Sequence, residues 1–412
     1  MMNAATLRLV LLVSCCHALV HVYEHSLAAV EKDVVQDQAF GIQPSAQEKV
    51  SGELGNWFRL PFGLCALLAG WLAERLGPKR LLLGYLFGCS LAAVAAWYAP
   101  SLLMMVAAMF MLGLFASVYH PAGLGLISDH TTPENRPRAL GLHGIFGSAG
   151  IAAGPFLAAV VFQLPIKADW RQYYLVLAVP GVLLAALLAL RLPARQSLLH
   201  AAQTNGRAAH DEDDVHWPSY FLLITLVSLA GFVYAGVLHF LPRYLSGAGL
   251  EIGHVPEKSL RNYLAAVVLM LGVIGQYTGG RIAKPTTLEP LLALAFLASA
   301  PCVFWMGYAN GYARIWAAGL FSPLFFMHQP VFNSLVAKYV PRRRRSLCYG
   351  LSFTVAFGVG SFGPNVAGHI DDYRLRYGGL AVALALAGTL ALVLWRWHGP
   401  VPDPQKAEHS PV

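Results

Sequence analysis

Long apolar runs of about 19–27 residues recur along the chain, separated by short stretches rich in Arg, Lys, Gly and Pro. They fall at about 5–29, 54–73, 81–99, 101–127, 139–163, 172–192, 218–241, 260–280, 289–309, 312–337, 347–370 and 378–397. A helix needs about 20 apolar residues to cross a bilayer, so the pattern predicts twelve crossings. The alternating segments of about 10 residues that mark an outer-membrane barrel are missing. Helices are the other way to satisfy every backbone polar group in hydrocarbon, and the expected class is an all-α polytopic membrane protein.

The pattern repeats. A shift of 209 residues lays Pro121 on Pro330, Arg136 on Arg345, Gly141 on Gly350, Leu142 on Leu351 and Gly154-Pro155 on Gly363-Pro364 without a gap. A shift of 211 lays Val22-Tyr23 on Val233-Tyr234. The expected organisation is a six-helix unit over 1–194, a polar linker over 195–217, a second six-helix unit over 218–397 and a tail over 398–412. The acidic run Asp211, Glu212, Asp213 and Asp214 marks the linker.

Composition agrees, with 57% hydrophobic and 12% charged residues among 412. A soluble domain carries roughly 25% charged residues. The net charge of +8 would suggest nucleic acid in a soluble chain, but position argues for topology and against nucleic acid. With the N-terminus inside, the inward segments and adjoining helix ends hold 18 of the 29 Lys and Arg. That bias places both termini, and the run Arg342, Arg343, Arg344 and Arg345, in the cytoplasm of an inner-membrane protein. Six scattered cysteines form no C-x-x-C pair, so neither a disulfide framework nor a zinc knuckle is expected. Leu12-Val13-Ser14-Cys15 resembles a lipoprotein cleavage box, but the apolar run before it is short for a signal-peptide core and no cleavage is expected.

The connection after the second span reads Gly70-Trp71-Leu72-Ala73-Glu74-Arg75-Leu76-Gly77-Pro78-Lys79-Arg80. It resembles the signature between helices 2 and 3 of the major facilitator superfamily, with Glu74 where that family usually has Asp. The equivalent stretch of the second half, Gly275 to Arg281, keeps glycines and an arginine but no acid, so an acidic latch is expected mainly in the first half. In the fifth span Gly141, Gly144, Gly147, Gly150 and Gly154-Pro155 share one broad face, similar to the glycine and proline motif of facilitator antiporters. Its recurrence with Gly363-Pro364 speaks first for close packing and hinge geometry, and second for export. Tyr119-His120-Pro121-Ala122-Gly123 is similar to the fosmidomycin-resistance branch of drug–proton antiporters. The resemblance implies two pseudo-symmetric six-helix halves and alternating access. It assigns gating to Gly70, Glu74, Arg75, Gly77, Arg80, Gly154, Pro155, Gly363 and Pro364.

The first span carries a feature that architecture does not explain. His17, His21, Glu24 and His25 form one stripe about 100 degrees wide on a helix. An acid at mid-span costs on the order of 3 kcal/mol to insert, so Glu24 is expected to face a cavity or a partner. With His21, Tyr23, Glu24 and His25, the residues Arg59, Tyr119, His120, Tyr234, His239, Gln276, His328 and Asn333 are the candidate polar lining of a substrate and proton pathway. The plainer reading is histidines hydrogen-bonded between helices.

The function expected is secondary transport of a small molecule by a monomer in the bilayer, coupled to protons, with efflux slightly favoured and no cofactor or enzyme activity. No G-x-x-x-x-G-K-[ST] loop accompanies it. Two alternatives are divalent-metal transport through His17, His21, Glu24 and His25, and a facilitator-shaped receptor or scaffold. His21-x-x-Glu24-His25 also matches a zinc-protease pattern, without an identifiable third ligand.

Overall fold

Each apolar run folds as a helix in a computed structural model, which describes residues 2–132, 135–166, 168–191, 216–340 and 345–398. Ten helices among the described residues are long and apolar enough to cross a membrane. The first half consists of α1 (Ala4–Val35), α2 (Gln47–Leu76), α3 (Pro78–Tyr98), α4 (Leu102–Ser128), α5 (Arg136–Val161) and α6 (Trp170–Arg191). The second consists of α7 (Trp217–His239), α8 (Glu257–Ile282), α9 (Leu288–Tyr308), α10 (Ala313–Phe326 with His328–Tyr339), α11 (Leu347–Gly368) and α12 (Tyr373–His398). The two crossings of lower apolarity are α2, with Arg59 at mid-span, and α10, which is interrupted. Residues 192–215, 341–344 and 399–412, which include most of the expected linker, three arginines of the basic run and the tail, lie outside the described residues.

Four crossings are broken in mid-span. Helix α1 stops at Glu24 and resumes at Ser26, with Ser26 Oγ donating to the Tyr23 carbonyl at 2.8 Å. Helix α4 breaks between Ala116 and Tyr119, α10 at Met327 and α11 at Ser361. Helix α7 ends at His239 and a short helix, Leu241–Ser246, continues it. Such breaks expose backbone groups and side chains only where protein surrounds them. The expected end of the first span near residue 29 is therefore corrected: α1 runs to Val35 and carries Glu31, Lys32 and Asp33.

The glycine stripe explains how helices pair within each half. A Cβ on Gly150 would lie 2.2 Å from the Ala18 carbonyl oxygen, and one on Gly147 would lie 2.3 Å from the His17 ring, so α5 seats α1. Gly360 and Gly363 face Gly231, Phe232 and Gly236 in the same way, so α11 seats α7. Twelve crossings return the chain to the face where it started, called here the terminal face.

The halves meet along α2 against α11 and α5 against α8. Every ion pair joining them among the described residues lies on the opposite face, where α1 ends. Arg243 grips Glu31 with two bonds of 2.7 Å, and Ser51 Oγ donates to the same carboxylate at 2.6 Å. Arg376 pairs with Glu48, Arg261 pairs with Asp33, and Lys32 reaches Glu257 at 3.4 Å. Toward the terminal face, glycines of α4, α5 and α11 have open space before them. A Cβ on Gly125, Gly141, Gly144 or Gly350 would meet nothing within 4 Å. The ion pairs hold the gap between the halves closed on the opposite face.

Candidate functional site

The break in α1 places Glu24 at mid-membrane, where the halves face each other. Its side chain is fully buried, with Arg59 and His21 in hydrogen-bond contact and His25 Nε2 at 3.9 Å. Arg59 Nη1 of α2 donates to Glu24 Oε1 at 3.0 Å, and His21 Nδ1 lies 2.7 Å from Glu24 Oε2. Burying a lone carboxylate in hydrocarbon is costly, and pairing with Arg59 offsets that cost. The guanidinium lies 5.5 Å from the ring centre of Tyr234 on α7, a cation–π contact across the halves. His25, released from the helical stripe by the break, turns to Tyr234 with a 2.9 Å contact between Nε2 and the phenol oxygen.

On the terminal-face side a second group continues from His21. Its Nε2 is 3.2 Å from His17 Nε2, and His17 Nδ1 is 2.8 Å from the main-chain oxygen of His143. Tyr119 stacks on His17 and donates its hydroxyl to the Val13 carbonyl at 2.7 Å. His120 follows the break in α4 and stacks on Phe353 of α11, so it marks the boundary between the halves. From His143 to Tyr234 the polar contacts form one continuous chain through the first half to the second.

The structure thus brings together His17, His21, Glu24, His25, Arg59, Tyr119, His120 and Tyr234. Other candidates stand apart. Tyr23 points into the core of the first half and donates to the Leu177 carbonyl at 3.2 Å. His239 sits on the opposite-face network, 3.0 Å from Ser51 Oγ. Gln276 joins Ser148 of α5 and Gln329 of α10. His328 is buried among Phe296 and Phe325 with Nδ1 on the Phe325 carbonyl at 2.6 Å. Asn333 is exposed, and its main-chain oxygen accepts from Tyr349.

The gating candidates divide in the same way. Gly77 takes φ +84, the left-handed region that lets α2 turn directly into α3, where Pro78 opens the helix. Arg75 lies over the Trp71 ring at 3.9 Å, Gly70 faces Pro121, and Arg80 is exposed. The Glu74 side chain lies outside the described residues. Gly154 supports His25, and Pro364 packs against Gly52 and Gly55 of α2. An acid also serves the second half near the terminal face: Glu289 of α9 is buried and accepts from Lys338 at 2.6 Å and from Tyr339 at 2.5 Å. Sequence reasoning passed over Glu31, Glu48, Arg243, Arg261 and Arg376. Their signal was present as charges set at the edges of apolar runs.

Comparison with known proteins places this geometry. The chain is 28% identical over 313 residues to the 3-(3-hydroxy-phenyl)propionate transporter of Escherichia coli strain K12, covering 74% of this chain and 73% of the relative. It is 24% identical over 357 residues to the gentisate transporter of Corynebacterium glutamicum, covering 83% and 77%. A probable sulfoacetate transporter of Cupriavidus necator is 27% identical over 238 residues, and there the match spans about half of each chain, 54% and 53%. Among solved structures, the inward-open xylose transporter XylE from E. coli superposes with a TM-score of 0.76 at 14% identity, over 97% of this chain and 98% of that one. That likeness concerns the fold alone. The family model described as Major Facilitator Superfamily matches residues 37–364. The chain belongs to the Major Facilitator Superfamily and is a multi-pass membrane transporter of that type.

Proposed function

We propose that the protein moves a small organic anion across the membrane by alternating access, coupled to protons through Glu24. The observation that carries this reading is the Arg59–Glu24 pair, buried at mid-membrane with side-chain exposures of 3% and 0%. A guanidinium offers a fork of donors suited to a carboxylate, and Glu24 holds the place a substrate carboxylate would take. An arriving anion displaces Glu24 from Arg59. The displaced carboxylate loses its guanidinium and keeps its contact with His21, and taking up a proton relieves the buried charge. Anion binding and protonation are thereby linked at one residue. Tyr234 and Phe353 supply aromatic surface beside the guanidinium and His120. The relatives' names fit: hydroxyphenylpropionate, gentisate and sulfoacetate are all small organic acids.

The Lys and Arg bias supports a cytoplasmic terminal face, and with it the ion-paired face is the outer one. The linkage runs in either direction with the combined gradient of anion and proton. The resemblance of α5 to antiporter sequences favours export, although its glycines are already used in seating α1.

The test is transport into proteoliposomes under an imposed pH gradient, with gentisate, 3-(3-hydroxyphenyl)propionate and sulfoacetate against the neutral sugar xylose. Saturable transport of at least one acid, lost in Arg59→Gln, is expected. Transport of neutral solutes alone, or an Arg59→Gln variant that carries the acid at the parent rate, contradicts the reading.

A further inference from the structure

The histidines on the terminal-face side of Glu24 have no assigned task in anion exchange, and their geometry is specific. His17, His21 and His120 each bring a ring nitrogen within 4.8 Å of the others. Two of them already engage their other ring nitrogen. His21 Nδ1 faces the Glu24 carboxylate, which also pairs with Arg59, and His17 Nδ1 faces the His143 main-chain oxygen at 2.8 Å and His143 Nδ1 at 3.0 Å. Donation from Nδ1 to these oxygens leaves the two Nε2 atoms as lone pairs for a shared ligand. The two Nε2 atoms stand 3.2 Å apart. The third nitrogen, His120 Nε2, is buried without a hydrogen-bond partner, and its ring centre is 5.4 Å from that of His17 and 5.5 Å from that of His21.

We propose that His17, His21 and His120 bind a borderline divalent transition-metal ion through their Nε2 atoms. Metal–nitrogen bonds of about 2.0–2.1 Å at tetrahedral angles set ligand nitrogens about 3.3–3.4 Å apart, which His17 and His21 already approach. A small rotation of the His120 ring completes the set. Metal-bound imidazoles ordinarily pass their other N–H to a carboxylate or a carbonyl, and here Glu24 and the His143 carbonyl provide one of each. Three neutral nitrogens suit Zn²⁺, Co²⁺ or Ni²⁺, and the absence of an oxygen cage among these ligands disfavours Ca²⁺ and Mg²⁺. Three protein ligands leave a fourth position, filled by water or an anionic ligand. Glycine at position 147 makes the room that His17 occupies, so the site is built by the fold. The inference does not rest on the anion-transport reading.

The experiment uses the full chain purified in detergent, freed of any affinity tag, stripped with chelator and titrated with Co²⁺. One Co²⁺ per chain is expected, with the visible absorption of a four-coordinate nitrogen site, displaced by one equivalent of Zn²⁺. His120→Gln should lose stoichiometric binding, while His254→Gln, in an exposed loop, keeps it. Glu24→Gln should weaken binding by about 10–100-fold, the usual effect of removing a partner behind a ligand. Size-exclusion and thermal melting check that each variant is folded. Should His120→Gln misfold, X-ray absorption of the Zn²⁺-loaded parent reads the ligands directly, with imidazole scattering expected. No bound ion in the folded parent, unchanged binding in His120→Gln, or a loaded site without imidazole would overturn the proposal. Because binding is read without transport, either reading can fail alone.

Discussion

Arg59 and Glu24 hold each other in a region where neither is tolerated singly, and this decides what each substitution does. Removing one partner of a buried pair leaves an uncompensated charge, at a cost of about 3–5 kcal/mol. Arg59→Gln should therefore lower the thermal unfolding temperature in detergent, and adding Glu24→Gln to it should recover most of the loss. A double variant less stable than the single one would show that the pair is not the issue. The helical period alone made His17, His21 and Glu24 legible as one face, and the structure puts all three in one chain of contacts. His25 was legible as polar but not in its direction. An ideal helix keeps it on the stripe, whereas the break after Glu24 turns it to Tyr234. Tyr23 shows the converse, since a tyrosine beside a polar stripe reads as cavity lining while its hydroxyl finds the Leu177 carbonyl inside the half.

Between elements, the packing of α1 on α5 is set by glycine. Gly150→Leu would drive a side chain into the backbone at Ala18, and overpacking of this kind costs about 1–3 kcal/mol. Gly141→Ala, with open space before it, should melt like the parent. Equal melting of the two variants would count against the seating role of α5. The spacing of the glycines revealed a packing face because small residues are how helices approach in lipid. The helix breaks were harder to read. Only a partner from another helix makes an interrupted backbone acceptable at mid-membrane, and sequence does not display partners. The end of α1 was misplaced for the same reason: Glu31, Lys32 and Asp33 look like a loop until Arg243, Glu257 and Arg261 of the second half are seen to meet them.

At the scale of the molecule, the opposite face is a latch in which the first half supplies Glu31, Asp33 and Glu48 and the second supplies Arg243, Arg261 and Arg376. Arg243→Gln should shift the population toward a state open on that face. The check is labelling of Ala28→Cys, in an otherwise cysteine-free chain, by a membrane-impermeant maleimide applied from that face. Faster labelling than in the same cysteine variant with Arg243 intact is expected, and equal rates would mean that the ion pairs do not hold the gap closed. The repeat and the charge bias made the two halves legible without coordinates, because duplication and topology are both written along the chain. The latch was not, because its members come from distant segments. The central claim is that anion and proton meet at Glu24. It is tested most directly by measuring, in proteoliposomes, proton flux driven by an anion gradient alongside exchange of the same anion across the membrane. Glu24→Gln is expected to retain exchange and lose anion-dependent proton flux. Uphill, pH-driven anion transport by Glu24→Gln at the parent rate would contradict the account.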